Sequence, residues 1–143
     1  ERGVEVRRVD RGGDVTLHAP GQLVVYPILN LAARDKDLKK YLFKLEEVAI
    51  DFLRSFGILA DRFPGHTGVW FHGQKIVSIG VGVKKWVTYH GLGININTNL
   101  SYFQMVRPCG LDVSMASVSS LTGKVIDFDL AKSSFAKIFQ QRF

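Results

Sequence analysis

The chain has 143 residues, of which 46% are hydrophobic and 22% charged, and its mean hydropathy is +0.07. These values are typical of one globular domain spanning residues 1–143, and they exclude a disordered chain or two full-sized domains. A single cysteine excludes a scaffold of internal disulfides. The longest apolar stretch, residues 23–33, is far shorter than the roughly 18 apolar residues of a membrane span, so we expect no membrane partner.

The chain is basic, with 19 Lys and Arg against 13 Asp and Glu, a formal net charge of +6. The basic residues are scattered, and no helix-turn-helix, zinc-finger or RNP pattern accompanies them. From charge alone, the favoured interpretation is that the basic residues keep the protein soluble. An acidic protein partner and nucleic acid are less favoured, and about equally so.

The first half of the chain predicts strands followed by a helix. An alternation beginning at Val4 and Val6 predicts a strand that leads to the turn at Gly12-Gly13, and residues 22–29 predict a short buried strand. Apolar residues then recur every three or four positions from Leu38 to Phe56. This period predicts a helix with Asp35 or Asp37 as its N-cap and Gly57 after its end.

The second half predicts further strands and a closing helix. Strands are expected over residues 58–63, 69–72, 75–83 and 86–97, with a hairpin turn at Gly73-Gln74. A second helical period covers residues 127–143. The order predicts an α+β domain with a mostly antiparallel or mixed sheet and packed helices.

Cys109 lies in the sequence Arg-Pro-Cys-Gly, where proline and glycine favour an irregular backbone. A free cysteine is usually a small buried apolar residue. Loops on a rigid scaffold are also where nucleophiles tend to lie, so both interpretations stay open.

The strand that begins at Lys75 carries glycines on one face. Alternation places Lys75, Val77 and Ile79 on one side and Ser78 and Gly80 on the other, with Gly82 following Gly80. Glycine inside a strand often marks the close approach of another backbone or a ligand, although ordinary packing is the more frequent reason.

Residues 11–22, the Arg-Gly-Gly loop, are dense in turn formers and polar groups, with His18 near the centre. The loop lacks the lysine of a Walker motif and the third glycine of a dinucleotide fingerprint. The other histidines show no metal-ligand spacing, and we expect neither a metal nor a cofactor.

Five segments resemble the lipoyl(octanoyl) transferase family and occur in that family's order. They are the Arg-Gly-Gly loop, residues 64–70, residues 75–81, His90-Gly91 followed by Asn95, and Pro108-Cys109-Gly110. Ala19 stands where the family usually has glycine, and Gly93 where it usually has alanine. Members carry several dozen residues ahead of the loop, so we expect an N-terminal segment to be missing here.

The resemblance implies a biotin/lipoate protein ligase-like fold and an acyltransferase in lipoate biosynthesis. Its members transfer an octanoyl or lipoyl group from acyl carrier protein to a lysine of a lipoyl domain. The expected partners are octanoyl acyl carrier protein, the lipoyl domains of 2-oxoacid dehydrogenase complexes and the glycine cleavage H protein, without nucleic acid. The implied compartment is the cytoplasm, or the mitochondrion in a eukaryote.

The resemblance also implies site residues. Cys109 would be the acylated nucleophile and Lys75 the cation that activates it. The implied substrate-binding residues are Arg11, Gly12, Gly13, His18, Ser78, Ile79, Gly80, His90 and Gly91. Two alternatives stay open: an ATP-dependent lipoate or biotin protein ligase of the same fold, which needs no cysteine, and a basic binding module without catalysis.

Overall fold

A computed structural model describes residues 4–105 and 113–143, which form one antiparallel sheet with packed helices. The strands are β1 (Gln22–Val25), β2 (Asp61–Phe63), β3 (His66–Phe71), β4 (Gln74–Lys84) and β5 (Val87–Asn95), and the helices are α1 (Leu38–Arg54), α2 (Val118–Thr122) and α3 (Phe128–Arg142). Two short 3₁₀ helices cover Leu31–Ala33 and Leu100–Met105. In the described residues the strand order is β1-β5-β4-β3-β2. The predicted α+β class is confirmed.

The long helix α1 follows the predicted period. Asp37 is its N-cap, with a side-chain oxygen that accepts a hydrogen bond from the Lys40 N–H at 3.0 Å. The helix ends at Arg54, two residues before the last apolar position of the pattern. Its apolar face packs with α3 and the inner face of the sheet in one cluster that includes Leu45, Phe52 and Phe135.

Two tight turns join β3, β4 and β5. His72 and Gly73 have φ values of 47° and 78°, and Lys85 and Trp86 have 50° and 64°. Positive φ at both central residues is typical of the type I′ turn, whose twist matches that of a hairpin. The first turn therefore lies one residue before the predicted Gly73-Gln74, and the second forms without the glycine that usually marks it.

Several predicted boundaries were wrong. Residues 4–13 form no strand, and Val6 is 92% exposed, so its alternation has no sheet neighbour in the described residues. β1 stops at Val25, just before Tyr26 and Pro27, and proline has no N–H to give to a ladder. β2 keeps only three residues of the predicted six.

Helix α2 was not predicted. Ser117 caps it through a hydrogen bond from the Ser120 N–H, and the Ser120 hydroxyl accepts from the Ser117 N–H. This reciprocal pair is a capping box in which serine replaces the usual Glu or Gln. The residues just before α2 extend the sheet locally, because Lys75 and Met115 form an isolated parallel bridge.

Candidate active site

The Arg-Gly-Gly loop lies against the middle of β4. The Gly12 N–H donates to the Val81 carbonyl oxygen at 2.9 Å. A Cβ added at Gly80 would lie 2.8 Å from both Arg11 Cδ and the Gly12 carbonyl oxygen, which is closer than real Cβ atoms approach. Gly80 therefore allows the loop backbone to reach the strand. Gly13 follows with a φ of 87°, in the region that favours glycine.

Gly91 serves a similar close approach on the next strand. It is the cross-strand partner of Gly80, and a Cβ there would collide with the Val25 carbonyl oxygen and with Pro27. The two glycines leave the same face of β4 and β5 open to the chain segments that cross it.

His90 is held beside the loop by an exposed carboxylate. Asp10 accepts a hydrogen bond from the Tyr89 hydroxyl at 2.8 Å, and its other oxygen lies 3.3 Å from His90 Nε2. The Tyr89 hydroxyl is the main cause that lowers the pKa of Asp10, and His90 adds to it. His90 has a φ of 57°, and its imidazole forms a T-shaped pair with the Tyr26 ring, with the ring centroids 5.9 Å apart.

His18 begins a chain of hydrogen bonds that runs into the protein. Its Nδ1 lies 2.6 Å from Gln22 Oε1, Gln22 Nε2 donates to Asn95 Oδ1 at 3.0 Å, and Asn95 Nδ2 donates to the Ala116 carbonyl oxygen at 3.0 Å. The Ala116 carbonyl can only accept, so the Asn95 and Gln22 amide nitrogens are the donors in turn. The Gln22 Oε1 is then an acceptor, and the hydrogen between it and His18 belongs to Nδ1. The remaining ring nitrogen is thereby oriented away from the buried amides.

Lys75 is fixed at the start of β4 by its backbone and its side chain. Its N–H donates to the Ser114 carbonyl oxygen, and its own carbonyl oxygen accepts from the Ala116 N–H, both at 2.9 Å. Its ammonium lies 5.1 Å from the centroid of the Trp70 ring, a cation–π distance. A Cβ at Gly68 would come within 2.8 Å of Lys75 Cε.

The predicted site residues therefore fall into two places on one sheet. Arg11, Gly12, Gly80, His90 and Gly91 meet at the middle of β4 and β5, whereas Lys75 lies roughly 17 Å along β4 from Gly80, at about 3.3 Å per residue. The chain from His18 to Ala116 connects the loop to the neighbourhood of Lys75. Ser78 and Ile79 lie between the two places, opposite Gly93 and Leu92. Cys109 lies outside the described residues.

No metal centre or membrane span is found in the described part of the chain. Within residues 4–105 and 113–143, no three His, Cys, Asp or Glu side chains are grouped closely enough to hold a metal ion. In the same residues no helix combines the length and apolar character needed to cross a bilayer.

The family follows from the sequence match over nearly the whole chain. The profile of the lipoyl protein ligase A/B catalytic domain matches residues 1–140. The chain belongs to this family.

Curated relatives in the lipoyl protein ligase A/B family are named octanoyltransferase. The chain is 47% identical to that of Pelobacter propionicus over 141 residues, which cover 98% of this chain and 68% of the relative. It is 47% identical to that of Caldicellulosiruptor saccharolyticus, over all of this chain and 62% of the relative. The chain thus spans about two thirds of the length of these relatives.

Solved structures of the ligases share the fold. A lipoate-protein ligase A bound with ATP superposes with a TM-score of 0.73 at 16% identity, over 92% of this chain and 56% of that one. A biotin protein ligase from Aquifex aeolicus superposes with a TM-score of 0.61 at 19% identity, over 85% of this chain and 52% of that one. The predicted biotin/lipoate protein ligase-like fold is confirmed.

Three polar residues of this family member were not predicted as site residues. Gln22 and Asn95 lie inside the motifs quoted above and inside predicted strands. An amide side chain in such a strand is a signal that the sequence contains. Glu46 gave no such signal, because it lies on α1 between apolar positions and its partners are 16 and 22 residues away.

Proposed function

We propose that this chain carries the catalytic centre of an octanoyltransferase. It moves an octanoyl group from acyl carrier protein to a lysine of a lipoyl domain through a thioester on Cys109. The 47% identity to two octanoyltransferases over essentially the whole chain is the observation that carries the proposal. Cys109, in its Pro-Cys-Gly sequence, supplies the nucleophile that such a transfer requires.

In the first half reaction, the Cys109 thiolate attacks the thioester carbonyl of the acyl carrier. A new carbon–sulfur bond forms, the old one breaks, and the carrier leaves as its thiol after taking a proton from the Lys75 ammonium, which leaves Lys75 neutral. A free thiol has a pKa near 8.5, so lowering it by about 1.5 units, about 2 kcal/mol, makes half of it thiolate at pH 7. The Lys75 ammonium is the cation proposed to lower it.

In the second half reaction, the amine of the acceptor lysine attacks the Cys109 thioester. A carbon–nitrogen bond forms, the Cys109 thiolate leaves, and the amine gives up one proton. Lys75, once neutral, accepts that proton as a general base. Thioester to amide is downhill, so the cycle needs no ATP.

The position of Lys75 supports this role. Its backbone pairs with Ser114 and Ala116, and Cys109 precedes Ser114 by five residues in the sequence. The Trp70 ring lies beside its ammonium and the Gly68 backbone lies beside its Cε, and both contacts restrict the side chain. A restricted cation loses little entropy when it pairs with a thiolate.

The competing function is an ATP-dependent ligase, since a lipoate-protein ligase A with bound ATP has the same fold. A ligase activates the free acid as an adenylate and does not use a cysteine. The net charge of +6 fits acidic carrier proteins in either reaction.

Incubation of the full chain with octanoyl acyl carrier protein, without ATP, tests the proposal by intact mass. We expect one octanoyl adduct, mapped to Cys109 by peptide mass spectrometry and lost in Cys109→Ala. Activity that needs ATP and survives Cys109→Ala would establish the ligase instead.

A further inference from the structure

The carboxylate of Glu46 holds the backbone against which Lys75 packs. Glu46 lies on α1 and is only 8% exposed. Its Oε1 accepts a hydrogen bond from the Gly68 N–H at 3.0 Å, and its Oε2 accepts from Arg62 Nε at 2.8 Å. One carboxylate thus joins the helix to β2 and β3.

Gly68 carries this contact on to Lys75. It has a φ of 123°, and a Cβ at this position would lie 2.8 Å from Lys75 Cε and 3.5 Å from its Nζ. The bare backbone of Gly68 is therefore one wall of the space that the lysine side chain occupies. The β3–β4 register shifts between Val69 and Trp70, immediately beside this wall.

The other contacts of Arg62 explain why the carboxylate stays in place. The guanidinium also donates to Glu47 Oε1 at 2.6 Å and to the Phe43 carbonyl oxygen at 3.1 Å, and it stacks on the Phe43 ring. Burial lowers the pKa of Arg62, but its hydrogen bonds to Glu47 and Glu46 outweigh this effect and the pKa is raised. A carboxylate tolerates burial when it is paired and hydrogen-bonded, and Glu46 has both kinds of contact.

We propose that Glu46 is a positioning residue for Lys75, acting through the Gly68 N–H. Withdrawing the acceptor frees the Gly68 backbone and releases one wall of the lysine site. The catalytic consequence rests on the function proposed above, whereas the position of Lys75 does not depend on it.

Two conservative substitutions at Glu46 separate the effect of side-chain length from that of charge. Glu46→Asp keeps the charge beside Arg62 but is one methylene shorter, so it cannot hold Arg62 and Gly68 together. Glu46→Gln keeps the length and a carbonyl oxygen for the Gly68 N–H but loses the charge. Glu47→Gln is the matched control, because it removes the neighbouring carboxylate on Arg62 and leaves Gly68 untouched.

Reductive methylation of the full chain, read peptide by peptide by mass spectrometry, reports the exposure of each lysine. We expect Glu46→Asp to raise the methylation rate of Lys75 severalfold while Lys84, at the far end of β4, keeps its rate. Glu46→Gln and Glu47→Gln should leave Lys75 near its original rate. An unchanged Lys75 in Glu46→Asp, or a change in Glu46→Gln but not in Glu46→Asp, would overturn the proposal.

Acylation kinetics connect this position to the reaction. In Glu46→Asp we expect the rate of acyl-enzyme formation to fall by about tenfold to a hundredfold, as for a misplaced catalytic group. If Lys75 methylation changes but no variant or wild-type protein forms an acyl-enzyme, the proposed function fails and the positioning role stands.

Discussion

The Arg11 side chain and the Gly12 carbonyl lie where a side chain at Gly80 would have to be. A Cβ at Gly80 would stand 2.8 Å from Arg11 Cδ. The Arg-Gly-Gly loop therefore packs on β4 only because Gly80 has no side chain.

Gly80→Ala should detach the loop from β4. The added methyl group meets the Gly12 backbone as well as the flexible Arg11 side chain, and such overpacking costs roughly 1–3 kcal/mol. We expect faster hydrogen exchange at the Gly12 N–H, which donates to Val81 in the docked loop. Gly93→Ala is the control, because the atoms nearest to its methyl group would be those at the end of the Gln22 side chain, at 3.1–3.4 Å, and not the loop backbone. Unchanged exchange at Gly12 in Gly80→Ala would contradict the packing argument.

Gln22→Met should destabilise the fold through Asn95. Methionine has nearly the same length but donates nothing, so the fully buried Asn95 Oδ1 loses its hydrogen bond from Gln22. An unsatisfied buried acceptor costs about 1–3 kcal/mol, which urea unfolding measures. The same substitution at Gln74, whose amide bonds the exposed Ser114 hydroxyl, should cost less than about 0.5 kcal/mol. Equal losses in the two variants would contradict the role of Gln22 in the buried chain.

The sequence predicted the elements that carry their own periodic pattern. Helix α1 and strand β4 were found because apolar residues repeat along them, whereas a close approach at Gly80 was only one of two interpretations of its place in the strand, and ordinary packing was the favoured one. The position of β1 at the sheet edge was not predictable, since it depends on pairing with β5, some 70 residues later. Glu46 was not predicted for the same physical reason, because its contacts arise from the packing of α1 on β2 and β3 and not from its neighbours in the chain.

Docking of the Asp10 carboxylate should weaken in acid. Hydrogen bonds from Tyr89 and His90 lower the pKa of Asp10 below its ordinary value of 3.8 in the folded protein. Because the folded-state pKa of Asp10 is lowered, the stabilisation by these hydrogen bonds is complete above the unfolded-state pKa. It is lost as the pH falls through the folded-state pKa. NMR titration of the Tyr89 and Gly12 resonances should show this transition, and Asp10→Asn should abolish it.

Asp129→Asn is the matched control for Asp10. Asp129 is an exposed carboxylate on α3 whose pKa is lowered by Lys132, and its ion pair is with Lys132 rather than with Tyr89 or His90. Its substitution should leave the acid transition of Tyr89 and Gly12 unchanged. A transition that persists in Asp10→Asn would assign it to a different group.

Lys75→Arg and Lys75→Met should separate the two proposed roles of this lysine. Arginine keeps a cation near the Trp70 ring but is effectively always protonated, so we expect acyl-enzyme formation to continue and transfer to the acceptor amine to fail. Methionine removes the cation, and the pKa of the Cys109 thiol should then rise to its ordinary value or above. Single-turnover kinetics of each half reaction, with the rate of Cys109 alkylation against pH, measure both effects.

The two proposed roles of Lys75 can be disproved separately. An alkylation profile in Lys75→Met that matches the wild-type protein would mean that another group activates Cys109. Normal acyl transfer in Lys75→Arg would remove Lys75 as the base, because a guanidinium cannot accept the proton of the incoming amine. Loss of only the second half reaction in Lys75→Arg, together with a shifted alkylation profile in Lys75→Met, would establish that one side chain serves first as a cation and then as a base.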